Sequence, residues 1–379
     1  MTEWIEKKIS ELGTVVGGAT PSTKDEQNYI DGSIPWITPK DLAGFRGRYI
    51  SRGERSITQK GLASCSAQMM PKHSVLFTSR APIGYVAISA NPVCTNQGFK
   101  SVVPNENTDY LFLYYLLKFY KDKIEALGSG TTFKEVSGTT MKNIVVRVPK
   151  EKEKQREIGL ILSSIDDKIE ANEKINHNLQ QQAEALYKDY FVNFSATNGE
   201  IPLSWKKYIL AEFLPVITGK KNANISSEKG KYPFFSCSQD IAWTDEYSFE
   251  GSAILVAGNG DFNVKWYDGK FEAYQRTYVL IPRNSRFTAW LYYAIKYNLN
   301  IITSAARGSV IKFITKGNLE DFSFYAPNSL SECDIIDTFT KINETIDMHT
   351  QENYKLSTLR DTLLPKLMSG EIDVSEVEV

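Results

Sequence analysis

Two long stretches decide the fold of this chain: residues 158–190, IGLILSSIDDKIEANEKINHNLQQQAEALYKDY, and residues 335–367, IIDTFTKINETIDMHTQENYKLSTLRDTLLPKL. In the first stretch the seam positions alternate in steps of four and three residues, the heptad pattern of a coiled-coil helix. The second stretch repeats that frame 177 residues later. The seam residues are Ile158, Leu162, Ile165, Ile169, Asn172, Asn176, Leu179, Leu186 and Tyr190, then Ile335, Phe339, Ile342, Ile346, His349, Asn353, Leu356, Leu363 and Leu367.

The regions before the two stretches also repeat each other. Trp4 and Gly18 match Trp205 and Gly219, and further on a helical stretch at 113–118 matches 291–296. Short β-branched and aromatic runs broken by Gly, Pro and Asn predict a mixed α/β domain in each half. A period this long marks a duplicated domain-plus-spacer unit and not a solenoid. The predicted fold class is therefore α/β (α+β), with two such domains joined by two long helices in an antiparallel intramolecular coiled coil with pseudo-twofold symmetry.

The polar seam residues predict how the helices pair. Asn172 and Asn176 interrupt the first seam at the depth where His349 and Asn353 interrupt the second. Such residues cost stability but fix register, and this is also the role expected of the histidine. Each seam spans roughly 50 Å, whereas the link at 195–202 reaches at most about 28 Å. A parallel pair would overstretch that link, so we expect an antiparallel pair in which Asn172 meets Asn353 and Asn176 meets His349.

The two domains differ most in one segment. Gly18 and Val75 are 57 residues apart, whereas their counterparts Gly219 and Ala253 are 34 apart, so the first domain has 23 extra residues. The segment is also basic: Lys40, Arg46, Arg48, Arg52, Arg55, Lys60, Lys72 and Arg80 face only Asp41 and Glu54. A shared scaffold with divergent surface segments favours recognition of two different targets. The alternative explanation of the difference is neutral sequence divergence in a surface loop without a binding role.

Charge is distributed unevenly along the chain, although the formal net charge is only −1. Residues 1–150 hold 19 Lys and Arg against 13 Asp and Glu, and residues 201–328 hold 15 against 11. The remainder, which contains the long helices, has a net charge of −11. Basic globular regions joined by acidic helices favour a polyanionic partner for the globules. Solvated helix surface is the alternative explanation of the acidic charge.

Cysteine content and hydropathy indicate the compartment. Four scattered cysteines without a CxxC pair predict free thiols in a reducing environment. The N-terminus lacks a signal-peptide pattern, and no apolar run is long enough to cross a bilayer. We therefore expect a cytoplasmic protein with no membrane partner.

A set of short motifs, in this order and spacing, resembles the specificity subunit of type I restriction–modification systems. The motifs are Trp4, residues 17–22 (GGATPS), 34–38 (IPWIT), 96–98 (NQG) and 363–372 (LLPKLMSGEI). The resemblance covers essentially the whole chain. The chain departs from the pattern in two places, because the first helix ends in YFVNF and the second domain has Lys220-Lys221-Asn222 where the first has Thr-Pro-Ser. The two half-sites are therefore expected to differ.

The resemblance implies an architecture and a function. It implies target recognition domains at 1–150 and 201–328, spacer helices at 151–194 and 329–372, and an acidic C-terminal tail at 373–379. Each domain would read one half of a bipartite asymmetric DNA site, with the helices setting the gap. The helices would dock two methyltransferase subunits that methylate adenine, and a restriction subunit that cleaves unmodified foreign DNA would join them. S-adenosylmethionine, and ATP with magnesium, would be cofactors of those partners and not of this chain.

The residues themselves indicate binding chemistry and no catalysis. There is no phosphate-binding P-loop, because Gly219-Lys220-Lys221 lacks the first glycine and the hydroxyl residue. Asn91-Pro92-Val93-Cys94 lacks the second proline and the aromatic of an amino-methyltransferase motif, so we interpret it as a turn before a strand. Gly258-Asn259-Gly260-Asp261 fits either a phosphate cradle or a hairpin turn. The three histidines are far apart and predict no metal site. We therefore expect a non-catalytic subunit without catalytic, cofactor-binding or metal residues.

Candidate DNA contacts follow from side-chain chemistry. Arg and Lys pair with guanine or phosphate, and Asn and Gln pair with adenine. The candidates are Thr38, Lys40, Ser79, Arg80, Gln97 and Lys134 in the first domain, and Lys220, Lys221, Asn259, Lys265, Tyr274, Gln275, Arg276, Arg307 and Lys312 in the second. The alternative function is a coiled-coil scaffold with two protein-binding heads. That alternative predicts no salt-dependent DNA binding.

Overall fold

The computed structural model describes residues 2–80, 82–130, 134–227, 230–304, 306 and 312–374. The chain divides into two compact units, unit 1 with residues Met1–Asn172 and Glu352–Val379, and unit 2 with residues Glu173–Gln351. Each unit therefore contains one globular domain, the start of the long helix that follows it, and the end of the other long helix.

Unit 1 is built on a five-stranded sheet of order β2-β9-β6-β7-β4, a three-stranded sheet β5-β3-β8 and a strand pair β1-β10. Its strands are β1 (Trp4–Lys8), β2 (Gly13–Gly17), β3 (Ile34–Ile37), β4 (Tyr49–Ile50), β5 (Arg55–Ile57), β6 (Val75–Ser79), β7 (Ile83–Ser89), β8 (Cys94–Thr95), β9 (Lys100–Pro104) and β10 (Val145–Pro149). Its helices are α1 (Ile9–Leu12), α2 (Pro39–Leu42), α3 (Gln59–Ala63), α4 (Tyr110–Phe119), α5 (Lys121–Ala126), α6 (Gly138–Asn143) and the start of α7 (Lys152–Tyr187).

Unit 2 contains a six-stranded sheet of order β12-β17-β15-β16-β13-β14 and a strand pair β11-β18. Its strands are β11 (Trp205–Ile209), β12 (Val216–Thr218), β13 (Tyr232–Phe235), β14 (Ala242–Thr244), β15 (Phe249–Ala257), β16 (Val264–Ala273), β17 (Thr277–Leu280) and β18 (Ser323–Pro327). Its helices are α8 (Thr288–Tyr297), α9 (Leu299–Ser304), α10 (Lys316–Glu320) and the start of α11 (Ile335–Ser369). Helix α11 begins six residues after the predicted boundary, because a 3₁₀ turn at Leu330–Glu332 precedes it.

The two domains share one scaffold, as the sequence repeat predicts. In unit 1 the antiparallel neighbours β2, β9, β6 and β7 support α4, and in unit 2 the neighbours β12, β17, β15 and β16 support α8. The stretch from Leu111 to Leu117 in α4 is entirely buried, as is the stretch from Thr288 to Ile295 in α8. A helix that is apolar all round belongs in a core, so each of these helices holds its domain together.

The extra residues of the first domain lie in loops of this shared frame. Strands β3 and β5 are separated by 17 residues, whereas the corresponding strands β13 and β14 are separated by 6. The longer loop contains α2 and β4. The insertion therefore changes the surface of the first domain and leaves the order of its central strands intact.

The first strand of each domain closes the domain and also packs against the end of a long helix. Trp4 pairs with Pro149 in β1-β10, and Trp205 pairs with Pro327 in β11-β18. In unit 2 the Trp205 ring packs against Tyr190 and Phe191, just beyond α7. In unit 1 Trp4 lies against Gly370, just beyond α11.

Polar pairs join the long helices in the expected antiparallel register. Within unit 1, Asn172 Nδ2 donates to Asn353 Oδ1 at 2.8 Å. Within unit 2, the His349 Nδ1 atom and Asn176 Oδ1 are 2.8 Å apart. All eighteen predicted seam residues are buried or half-buried. The predicted register is therefore confirmed.

A buried ionic network ties the long loop of unit 1 to the helices. Arg48 is 4% exposed and donates to Asp167, to the Ser163 carbonyl at 3.1 Å and to the Tyr115 hydroxyl at 3.4 Å. Tyr115 donates to Asp166 at 2.5 Å, and Arg360 of α11 donates to the same carboxylate at 2.7 Å. This network holds in place the loop between β3 and β5.

None of the described helices has the length and apolar composition needed to span a membrane. All four cysteines are free thiols. Cys94 is fully buried, and burial raises the pKa of its thiol to about 12.

Substitution Gly370→Ala is expected to destabilise unit 1 by about 2 kcal/mol. Gly370 adopts φ +78°, and a Cβ atom there would lie 2.5 Å from Trp4 Nε1. Gly138→Ala is the matched control, because the nearest atom to its Cβ is 3.9 Å away. Denaturant unfolding measures both variants. Equal stability of the two would contradict the role given to Gly370.

Substitution Arg48→Ala is expected to lower the free energy of unfolding by about 3 kcal/mol, because it removes a buried guanidinium that bonds to Tyr115 and Ser163 and lies 4.0 Å from the buried Asp166 carboxylate. The effect falls at the lower end of the usual range, since Asp166 keeps Tyr115 and Arg360 as partners. Arg52→Ala removes the same charge from an exposed side chain of the same loop and should change stability by less than about 0.5 kcal/mol. Chemical denaturation followed by tryptophan fluorescence distinguishes the two results.

Candidate nucleic-acid interface

Three chain segments of unit 1 meet at one end of the central sheet. The first follows β2 and contains Gly18 and Thr20, the second is the turn at 96–98 before β9, and the third runs through Glu135 beside the end of β6. The Thr20 hydroxyl donates to the Gln97 side chain. The Ser79 amide donates to the Gly98 carbonyl at 2.7 Å, and the Val136 amide donates to the Ser79 carbonyl at 2.9 Å.

Local sequence explains how the first two segments approach so closely. A Cβ atom on Gly18 would lie 2.1 Å from the Asn96 carbonyl oxygen, so only glycine allows this contact. The Asn96 side chain accepts from the Gly98 amide at 2.8 Å and forms an Asx turn. Gln97 is left exposed at the tip of that turn. The motifs GGATPS and NQG therefore fold into one structure.

Glu135 organises the cations beside this turn. Its carboxylate lies 3.7 Å from Arg80 Nη1 and 3.3 Å from Lys100 Nζ. Arg80 pairs with Glu135 in an isolated antiparallel bridge, and the adjacent Lys134 is exposed. Glu135 carried no signal in the sequence, because nothing near it indicated that it would face two cations.

Unit 2 builds the same arrangement from different residues. Gly219 replaces Gly18, and a Cβ atom there would lie 2.3 Å from the Tyr274 carbonyl oxygen. The Gln275 amide donates to the Lys221 carbonyl at 2.9 Å, and the turn at 274–276 leaves Gln275 and Arg276 exposed. In the third segment the backbone of Asn259 pairs with that of Phe313 in an isolated antiparallel β-bridge, as Arg80 pairs with Glu135 in unit 1. Lys312 is exposed there, as is Lys134 in unit 1.

Comparison with known proteins shows the family to which this chain belongs. The family of the type I restriction modification DNA specificity domain matches residues 1–181 and 202–358. The chain belongs to this family. It is 32% identical over 419 residues to the type I restriction enzyme MjaIX specificity subunit of Methanocaldococcus jannaschii, covering 99% of this chain and 95% of that protein.

Two further comparisons agree with the assignment. The type I restriction enzyme EcoDI specificity subunit of Escherichia coli is 37% identical over 178 residues, which cover 46% of this chain and 40% of that one. The crystal structure of a type I restriction–modification S subunit from M. genitalium has a TM-score of 0.66 at 18% identity, covering 97% of this chain and 96% of that chain. This protein is a specificity subunit of a type I restriction–modification system, a non-catalytic recognition component of a multi-subunit complex.

Several residues predicted to contact DNA in this specificity subunit have structural roles. Ser79 is fully buried, and its hydroxyl donates to the Gly98 carbonyl, so its side chain does not reach the surface. Thr38 is the residue before α2 and bonds to Asp41 through both its amide and its hydroxyl. Lys40 pairs with Glu54 at 2.8 Å. Removing Ser79 from the set of DNA contacts corrects the sequence-based prediction.

In the second domain the candidate lysines are partly engaged within the protein. Lys221 Nζ lies 2.6 Å from Glu246, and that hydrogen bond raises the pKa of Lys221. Burial lowers the pKa of Lys265, whose ammonium donates to the Ser238 carbonyl at 2.6 Å. Lys220 is exposed. Arg307 lies outside the described residues.

The basic segment between Lys40 and Arg80 does not form one uniform positive face. Arg48 points into the buried ionic network, and Lys60 lies 2.7 Å from Asp25. The Arg55 guanidinium stacks over the Tyr29 ring at 4.2 Å. The sequence count of cations therefore overstates the charge available to a ligand.

The remaining motifs form turns, and no metal cluster is present among the described residues. The Asn91–Pro92 bend precedes β8, as predicted. Residues 258–261 lie in the turn that joins the antiparallel strands β15 and β16. No group of three or more His, Cys, Asp or Glu side chains in the described ranges is placed to hold a metal ion.

Proposed function

We propose that each globular domain of this specificity subunit reads one half of a bipartite asymmetric double-stranded DNA site, and that the paired helices set the gap between the halves. One observation carries the proposal. Gln97 and Gln275 stand exposed at equivalent positions of the same turn, and their neighbours differ, with Asn96 and Gly98 in the first domain against Tyr274 and Arg276 in the second. A shared frame with different neighbours suits two domains that read different sequences.

The chemistry of the two turns supports base reading. A glutamine side chain donates and accepts in the pattern that adenine presents in the major groove. Arg276, beside Gln275, suits guanine or a phosphate, and Asn259 offers a second amide in unit 2. Exposed Lys134 and Lys312 stand beside these turns, where phosphate contacts would orient the domain without carrying sequence information.

The long helices support docking of partner subunits. Their large exposed apolar side chains are Leu160, Tyr354 and Leu359 in unit 1, and Ile175 and Met348 in unit 2. A protein partner docked on the helices would cover these side chains and remove their apolar surface from water. We propose two methyltransferase subunits as the partners, with S-adenosylmethionine bound to them. A restriction subunit with ATP and magnesium would complete the nuclease form, in the cytoplasm.

Gln97→Ala is expected to relax recognition in one half-site only, and Gln275→Ala in the other. Loss of a bidentate base contact costs about 1–3 kcal/mol of discrimination at one base pair. Methylome sequencing of cells that express each variant with its modification subunits reads both half-sites at once. Each variant controls for the other, because the two glutamines occupy equivalent turns.

Two results with these variants would contradict the proposal. A change in both half-sites by one variant would indicate general loss of affinity and contradict separate reading. An unchanged motif in both variants would remove the glutamines from the set of base-reading residues.

The alternative function, a scaffold with two protein-binding heads, predicts different behaviour. Recognition of DNA requires binding by the full chain that weakens steeply as salt rises, because released counterions drive the association. Fluorescence anisotropy with a labelled duplex at several salt concentrations measures this directly. Absence of salt-dependent binding, with or without the modification subunits, would favour the scaffold.

A further inference from the structure

A positively charged cleft lies on unit 1 outside the candidate base-reading turn. It has a volume of about 290 Å³ and lies between the loop that follows α2, the start of β7, and the junction of α4 with α5. Three cations line it: Arg46 from the loop, Lys118 from α4 and Lys121 from α5. The aromatic side chains of Tyr85 and Tyr114 form part of its wall.

Among the described residues the three cations have no direct ion-pair partner, although Asp166 and Asp361 act on Lys118 at longer range. In the part of the chain that the structure describes, none of them has a carboxylate within 4.0 Å. The nearest polar partner of the Lys118 ammonium is the Tyr114 hydroxyl at 3.5 Å. Burial, opposed in part by Asp166, lowers the pKa of Lys118. A cation that is desolvated in this way is costly unless a ligand supplies the anion.

The equivalent position in unit 2 has an ion-pair partner within the protein. Lys296 occupies the place of Lys118 in α8, and its ammonium lies 2.8 Å from Glu184. Burial lowers the pKa of Lys296, but Tyr292 and Glu184 outweigh that effect, so its pKa is raised. Leu299 stands where unit 1 has Lys121, and Arg46 belongs to a loop that is longer in the first domain. The cationic cleft is therefore a property of the first domain and not of the shared scaffold.

The cleft is continuous with the end of the sheet that carries the base-reading turn. Strand β6 pairs with β7 through Ser79 and Ile83, directly beside Arg80. On one side of this hairpin, Gly128 lies against Ile83 and Lys134. On the other side, the aliphatic part of Lys121 packs on Gly84, where a Cβ atom would lie 2.5 Å from the lysine Cγ. Lys134 and Lys121 therefore both lie near the start of β7, beside the end of β6 that carries Arg80.

We propose that the cleft lined by Arg46, Lys118 and Lys121 binds a phosphate of the DNA backbone next to the half-site read by the first domain. The inference rests on the proposed function and extends it to the phosphate contacts that fix this domain on the duplex. Lysine and arginine from three separate elements line this one cleft, and such groups bind a phosphate without reading a base. The second domain, whose equivalent lysine is paired internally, makes no such contact at this place.

The test measures how steeply salt weakens DNA binding by the full chain in complex with its modification subunits, and it compares the wild-type chain with a variant of the cleft. The variant is Arg46→Ala/Lys121→Ala, which spares the half-buried Lys118 so that α4 stays packed. The probe is a fluorescent duplex with the motif found by methylome sequencing. The slope of log K against log salt is expected to become shallower by about 0.9, since that is the contribution of one lost phosphate contact. The methylated motif is expected to stay unchanged.

Lys8→Ala/Lys72→Ala is the matched control, because it removes two positive charges from exposed side chains of the same unit. Lys72 precedes His73, which stacks on Tyr110 at the opposite end of α4 from Lys118. This control should keep the wild-type slope. Circular dichroism and the unfolding midpoint verify that both double variants are folded.

Five outcomes are distinguishable. A shallower slope in the cleft variant alone supports the phosphate site. A wild-type slope in that variant overturns it, and so does an equal change in the control, which would reflect net charge only. Loss of the modification subunits on purification, with an unchanged DNA slope for the remaining chain, also overturns it and indicates an acidic protein partner. Absence of salt-dependent binding by the wild-type complex contradicts the proposed function itself.

Discussion

Every other feature of this subunit depends on one constraint: each long helix must complete two hydrophobic cores. The start of α7 places Ile158 and Leu162 in the core of unit 1, and its end places Ala183 and Tyr187 in the core of unit 2. The helix α11 does the same in the opposite order, with Phe339 in unit 2 and Leu367 in unit 1. Burial of such side chains contributes roughly 1.5–3 kcal/mol each. Neither domain therefore has a complete core without both helices.

Polar groups give this apolar pairing its register. A seam of leucine and isoleucine alone tolerates sliding, whereas an asparagine that loses its partner leaves buried polar atoms unsatisfied. The pair of Asn172 with Asn353 and the pair of Asn176 with His349 repeat the same device in each unit. The repeat is not perfect, since unit 1 has the carboxylate of Asp166 where unit 2 has the amide of Asn343, which accepts from the Tyr293 hydroxyl at 2.9 Å. The two units therefore share the polar pairs but differ at this neighbouring position.

The sequence predicts those features of the fold and site that residues close together in the chain determine, and it misses those that depend on contacts between distant segments. The heptad seams and the helical stretches at 113–118 and 291–296 follow from local periodicity and from the repeat, and the structure has them in α7, α11, α4 and α8. The motifs at 17–22 and 96–98 can be recognised in the sequence. Their contact with each other cannot, because it depends on the folded sheet. The burial of Ser79 could not be predicted from the sequence, because it depends on the contact between the end of β6 and the turn before β9.

The sequence by itself determined the duplicated plan, the length and pairing of the helices, and membership in a family of DNA specificity subunits. These follow from patterns that repeat along the chain, and repetition needs no knowledge of distant contacts. Only the tertiary structure decided which cations are free for a ligand. Arg48 and Lys60 have partners inside the protein, whereas Arg46, Lys118 and Lys121 line one cleft and have no direct ion-pair partner among the described residues. The physical reason is that a charged side chain can bind a ligand only where no group of the protein already pairs with it. The groups that decide this come from segments far apart in the chain.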